Sequence, residues 1–189
     1  MMRNLSRGWR RWAAHNRVRV TMLFAVAYVA FSQPSAAGLV VGAVLVALGQ
    51  SLRLWASGCL QRNVKLACSG PYALVRHPLY LGSLIMGIGL AVAVQPPYWW
   101  LLAFLALYVT FYGPAMHVEE LRLQSLFGSE YQEYMTDVGR LWPRFAHAER
   151  WTRAHPGNSF SWKRALDNKE LRSAAAMATL LVIQAIKLL

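Results

Sequence analysis

From Pro78 to Val118 the chain runs without a single Asp, Glu, Lys or Arg. No other feature limits the fold as strongly. Soluble domains interrupt their helices with charge, whereas a bilayer needs roughly 20 apolar residues per spanning helix. The stretch is too long for one span and suits two, with Gln95-Pro96-Pro97 where the turn between them belongs. A hairpin of spans is therefore expected, about Pro78–Val94 and Tyr98–His117, with Tyr98, Trp99 and Trp100 forming an aromatic belt at its tip. Ser83, Gly87 and Ala91, spaced four apart, allow helices to approach closely within lipid.

Charge placement extends this reading to the rest of the chain. Only 15% of the 189 residues are charged, yet the net charge is +12. A nucleic-acid binder spreads such charge over a soluble face. Here the basic residues flank apolar segments, which points to membrane lipids and away from nucleic acid. Residues 1–17 form a basic arm carrying Arg3, Arg7, Arg10, Arg11 and Arg17, interleaved with Trp9 and Trp12. No small-residue cleavage pattern follows the next apolar run, so the arm does not read as a secretory signal. Two spans follow, about Val18–Gln33 and Ala36–Leu54. Arg19 snorkels at the start of the first, and Gln50 and Arg53 lie toward the end of the second. Residues 171–189 are apolar, with Lys187 near the end, and read as a short fifth span or a helix against the others.

The expected class is thus all-α, a polytopic membrane helical bundle of about five transmembrane helices. Four spans occupy 18–118, and cytoplasmic amphipathic helices and a loop occupy 119–170. With five spans, every Lys and Arg except Lys187 falls on one side. The positive-inside rule places that side, with the amino terminus and the surfaces 59–76 and 119–170, in the cytoplasm.

Two polar motifs sit on that side. The first runs from Ser69 to Gly82. Gly70-Pro71 signals a turn, and His77-Pro78 signals a helix start, because Pro is tolerated where its missing N–H has no intrahelical partner. His77 then caps the helix and Tyr80 lies in its first turn, a helix mouth that favours an anionic group. The second follows His117. Glu119-Glu120 comes first, and Leu121, Leu123, Leu126 and Phe127 line a short helix that Gly128 stops. Ser129-x-x-Gln132 is a capping box, and Tyr131, Tyr134, Met135 and Val138 share one face of the next helix, whose stop signals are Gly139 and Pro143. Residues 140–160 read as irregular, and Trp162–Glu170 as an interfacial helix. Cys59 and Cys68 have no metal-ligand spacing and read as reduced packing residues. No metal site is expected.

Together, Gly70-Pro71-Tyr72 with Arg76-His77-Pro78-x-Tyr80-x-Gly82, and Glu119-Glu120 through Tyr131, Tyr134 and Val138, resemble the signature of a known family. It is that of the integral-membrane isoprenylcysteine carboxyl methyltransferases and phospholipid methyltransferases, and the likeness covers roughly residues 40–145. It implies an S-adenosylmethionine-dependent methyltransferase acting on a lipophilic or small acceptor. The implied donor-binding residues are Tyr72, Arg76, His77, Pro78, Leu79, Tyr80, Glu119 and Glu120, with His77 and Glu119 as catalytic candidates. Family members acting on prenylcysteine carry an Arg four residues before the first Glu. Ala115 stands there in this chain, which points to a lipid amine, thiol or phenol instead. Two other readings share part of the pattern. Membrane reductases of sterol-like or enone substrates, which use NADPH, have a similar Arg-His-Pro-x-Tyr-x-Gly segment but not the paired glutamates. A non-catalytic lipid-binding protein is the third reading.

Overall fold

A computed structural model describes residues 2–61, 65–154, 160–168 and 170–189. The side chains of Arg3, Arg7, Arg10, Arg11 and Arg17 of the basic arm lie outside the described residues. Eight helices and one two-stranded ribbon make up the described chain. They are α1 (Met2–Phe31), β1 (Gln33–Pro34), α2 (Ala36–Cys59), α3 (Pro71–Leu74), α4 (Pro78–Val92), β2 (Val94–Gln95), α5 (Pro97–Asp137), α6 (Ala148–Ala154), α7 (Trp162–Asp167) and α8 (Glu170–Ile186). The molecule is a helical membrane bundle. Among the described residues, Ala36–Cys59 and Pro97–Asp137 are long and apolar enough to cross a bilayer, and Val18–Phe31 and Pro78–Val92 are shorter apolar helices.

Element boundaries follow local chemistry. The arm is helical and continuous with the first apolar run, since no Pro occurs before Pro34 to break it. α2 continues past Leu54 to Cys59 because Ala56, Ser57, Gly58 and Cys59 are all buried. α5 runs through Pro114 without losing helical angles and changes course only at Gly128, whose φ of 53° and ψ of −125° suit glycine. The segment expected to be irregular contains the short α6, held by the buried Trp151.

The chain divides into two compact units: residues 1–46, 86–121 and 177–189, and residues 47–85 and 122–176. In the first, Gln33–Pro34 pairs antiparallel with Val94–Gln95, and the Ser35 amide donates to the Ala93 carbonyl at 3.2 Å. The two charge-free loops are thereby joined as a ribbon. Near lipid this matters, because backbone groups that leave a helix must pair with protein. Ser35 also caps α2, its Oγ accepting from the Gly38 amide at 3.1 Å. Lys187 Nζ donates to the carbonyls of Val29 and Ser32, satisfying acceptors at the carboxyl end of α1. Aromatic contacts link α1 to α5: Tyr28 and Phe24 each meet Trp100 edge-on, at 5.4 and 5.9 Å between ring centroids.

Close packing of α2 on α4 rests on glycine. A Cβ on Gly42 would stand 2.5 Å from the Gly89 carbonyl oxygen, and one on Gly89 would stand 2.7 Å from that of Gly42. Of the expected small-residue row, Gly87 faces the Phe104 ring of α5. Gly42→Val should therefore destabilise the protein by about 1–3 kcal/mol through overpacking. Gly113→Ala, where nothing lies within 4 Å of a Cβ, should leave the melting temperature unchanged or slightly raised. Thermal denaturation in detergent reads both.

Candidate active site

The first motif folds as a series of backbone turns in the second unit. Gly70 adopts φ 60° and ψ −128°, which only glycine takes readily, and its carbonyl accepts from the Ala73 amide at 3.1 Å. Pro71 opens the single-turn α3, and Val75 leaves it extended. There the chain meets the end of the second motif. Val75 pairs in parallel with Gly139, the Arg76 amide donates to the Gly139 carbonyl at 2.8 Å, and the His77 amide donates to that of Arg140 at 3.2 Å. The Arg144 amide returns a bond to the Leu74 carbonyl at 3.0 Å. Segments some 65 residues apart in sequence are thus strapped together main chain to main chain.

His77 is the cap the sequence implies. Its carbonyl accepts from the Leu81 amide at 3.0 Å, Pro78 follows as the first helical residue, and the imidazole is buried with its centroid 5.5 Å from that of Tyr80. Arg76 and Tyr80 are half-buried beside it. Tyr72 is placed differently from the rest. Its ring is buried among Ala56, Cys59 and Ala67, with Leu60 and Leu79 packed against that cluster. Its carbonyl accepts the Tyr134 hydroxyl at 2.6 Å.

Tyr131, Tyr134 and Val138 are buried with Leu66, Cys68, Ala73 and Trp151, the core-facing stripe expected of them. Trp151 meets Tyr134 edge-on at 5.2 Å and donates from Nε1 to Asp137 at 3.0 Å, which seats α6 on the end of α5. Arg150 reinforces this by pairing with Asp137 at 3.1 Å and with Glu133. Cys59 and Cys68 are free, buried thiols. Burial, aided by the charge of Glu130, pushes the Cys68 thiol up to about 12, so it stays protonated and unreactive at neutral pH. Among the described residues no three His, Cys, Asp or Glu come together to hold a metal ion.

Glu119 and Glu120 lie on the part of α5 that belongs to the first unit; Glu119 is exposed and Glu120 buried. Ala115, one turn earlier, is buried. One group escaped the sequence reading. Arg53, on α2, pairs through two nitrogens with the carboxylate of Glu170, at 2.9 and 3.1 Å, and Glu170 is only 4% exposed. The available signal was an ionisable residue one turn after Gln50 inside an apolar helix, which marks a functional position by default.

The profile of the phospholipid methyltransferase family matches residues 37–130. A relative from Cupriavidus metallidurans, the cobalt-zinc-cadmium resistance protein CzcN, is 31% identical over 155 residues, covering 75% of this chain and 70% of that one. The chain belongs to the phospholipid methyltransferase and isoprenylcysteine methyltransferase family. A rice protein named "Probable protein-S-isoprenylcysteine O-methyltransferase" is 33% identical over 110 residues, covering 52% of this chain. The match spans 57% of that relative's length. The nickel-cobalt-cadmium resistance protein NccN of Alcaligenes xylosoxydans is 31% identical over 114 residues, covering 59% of this chain and 53% of its own. No solved structure matches significantly. Within this family member, the bond from Tyr134 to the Tyr72 carbonyl is a buried side-chain tie between the two motifs. Tyr134→Phe should cost about 1–3 kcal/mol of stability, because it strands a buried acceptor, and should leave a folded protein by circular dichroism.

Proposed function

We propose that the protein transfers a methyl group from S-adenosylmethionine to a lipophilic or small acceptor at the membrane. The strapping of Leu74–His77 onto Gly139–Arg144 carries this reading, because it holds the first motif against the stop that closes the second. The donor supplies an activated methyl on a sulfonium; the protein's task is to hold and orient the reacting partners. The residues present fit such a donor. The mouth of α4, with His77 at its cap, Pro78 and Leu79 in its first turn and Arg76 beside it, suits a carboxylate. Tyr80, half-buried at the same mouth, offers a ring face to adenine or to the positive sulfur. Tyr72 acts through packing behind this mouth. Glu119 and Glu120 offer acceptors for ribose hydroxyls or the ammonium, and His77 and Glu119 are the catalytic candidates the family resemblance implies.

Ala115 supports an acceptor class other than a prenylcysteine carboxylate. A carboxylate drawn into a low-dielectric pocket needs a paired cation, and an apolar side chain supplies none. A lipid amine, a thiol or a phenol therefore fits better than a prenylcysteine carboxylate. The distribution of Lys and Arg supports a cytoplasmic amino terminus and active site, where the donor is available.

Three measurements test this. Wild-type protein in detergent should bind S-adenosylmethionine and not NADPH, and Glu119→Ala should weaken that binding by about 1.5–3 kcal/mol. An unchanged affinity in the folded variant would return Glu119 to a solvated helix acid. With labelled donor, lipid amines or thiols should be methylated in preference to farnesylcysteine; turnover of farnesylcysteine alone would overturn the acceptor class. A cysteine placed at Gln95 should react with an impermeant reagent from outside cells, and one at Ser129 should not; the reverse pattern would invert the orientation.

A further inference from the structure

Arg53 reaches beyond Glu170. Its third nitrogen, Nη1, donates to the Leu79 carbonyl at 3.1 Å and to Ser83 Oγ at 2.6 Å, and Ser83 Oγ itself donates to the same carbonyl at 3.0 Å. Leu79 is the second residue of α4, two past the His77 cap. The guanidinium thus joins a carboxylate on α8 to the first turn of the motif helix. Gly82 makes room for it: a Cβ there would stand 2.5 Å from Arg53 Cγ and 2.7 Å from the Gly49 carbonyl oxygen. The motif glycine is a slot for the Arg53 stem.

This pair is not needed merely to seat the carboxy-terminal segment on α2. Asn168 Nδ2 donates to the Ser57 carbonyl at 2.9 Å, Arg164 Nε to that of Gly58 at 2.8 Å, and the Ser161 amide to that of Gly58 at 3.0 Å. Ser173 and Gln50 pair one turn from Arg53. None of these touches α4. A largely buried ion pair is also a costly way to hold helices together, since apolar residues of the same volume pack as well or better. What the planar fork adds is direction: with two nitrogens fixed by a carboxylate, the third is aimed.

We propose that Arg53 and Glu170 are positioning residues for the donor-binding mouth of α4, so that the carboxy-terminal segment, beyond the family-matched residues, helps to set that site. This rests on the methyltransferase reading. Without Glu170 the guanidinium is free to turn, the Leu79 carbonyl loses its ionic donor, and the His77–Tyr80 turn loosens.

The test measures S-adenosylmethionine binding to the full chain in detergent, alongside hydrogen–deuterium exchange. Glu170→Gln should weaken donor binding about tenfold or more, Glu170→Asp should stay within about threefold of wild type, and Asn168→Ala should bind as wild type. Exchange in Glu170→Gln should rise in the 77–84 peptide and stay unchanged in 131–138. If Glu170→Gln does not fold, Arg53→Lys serves instead. An ammonium still faces Glu170 but cannot reach Leu79 and Ser83 together, so the same loss of affinity is expected. Wild-type affinity in either folded variant overturns the proposal, as does an equal loss in Asn168→Ala, which would make the effect one of general docking. If wild-type protein binds no donor, the methyltransferase reading itself fails. The exchange pattern then decides the tie: faster exchange confined to 77–84 upholds the positioning of α4, and unchanged exchange overturns it.

Discussion

A peptide group that leaves a helix near lipid has nowhere to turn but to the chain itself, and that requirement shapes the first unit. In the first, the ends of two short apolar helices are finished by the Gln33–Pro34 and Val94–Gln95 ribbon and by Lys187 closing over the last carbonyls of α1. In the second, residues 74–77 pair main chain to main chain with 139–144. That segment is therefore irregular without being loose. It has the backbone freedom to present His77 and Arg76 at a helix mouth, and its amides are already committed to fixed partners.

Much of this was legible because apolar length and proline are strong signals. The charge-free stretch from Pro78 to Val118 contained α4 and the first half of α5, with the turn at Gln95–Pro97. His77-Pro78 marked the cap, Gly128 the change of course in α5, and the spacing of Tyr131, Tyr134 and Val138 the buried stripe. What could not be read were contacts that depend on register between distant helices. That Gly82 faces Arg53 while Gly87 faces Phe104 is decided by how α4 is rotated against its neighbours, and sequence spacing alone leaves that angle open. For the same reason α6 went unseen: seven residues carry too little periodicity, and Trp151 holds them through a partner fourteen positions away.

Arg53 illustrates a different limit. A cation toward the end of an apolar helix has two readings, a headgroup anchor and a functional charge, and its sequence neighbours do not choose between them. In the folded chain Glu170 of α8, with the Leu79 carbonyl and Ser83 of α4, holds it inward, so that most of the side chain is withdrawn from water. Tyr72 moves the other way. The motif tyrosine packs its ring in the core and lends its carbonyl to Tyr134. Which motif residues touch a ligand and which support those that do is a question of facing, and facing belongs to the folded chain.

Gly70 and Gly128 share nearly the same backbone angles, with φ of 60° and 53° and ψ of −128° and −125°, yet they answer to different demands. Around Gly70 the Cys59 sulfur would stand 3.3 Å from a Cβ, so both space and conformation count against a side chain. Around Gly128 there is open space, and the only objection to a side chain is its handedness. The mirror image of that conformation is the ordinary polyproline region of L residues. A D-alanine incorporated at position 128 would therefore sit at ease where L-alanine is strained, which makes the bend in α5 a matter of chirality and not of size.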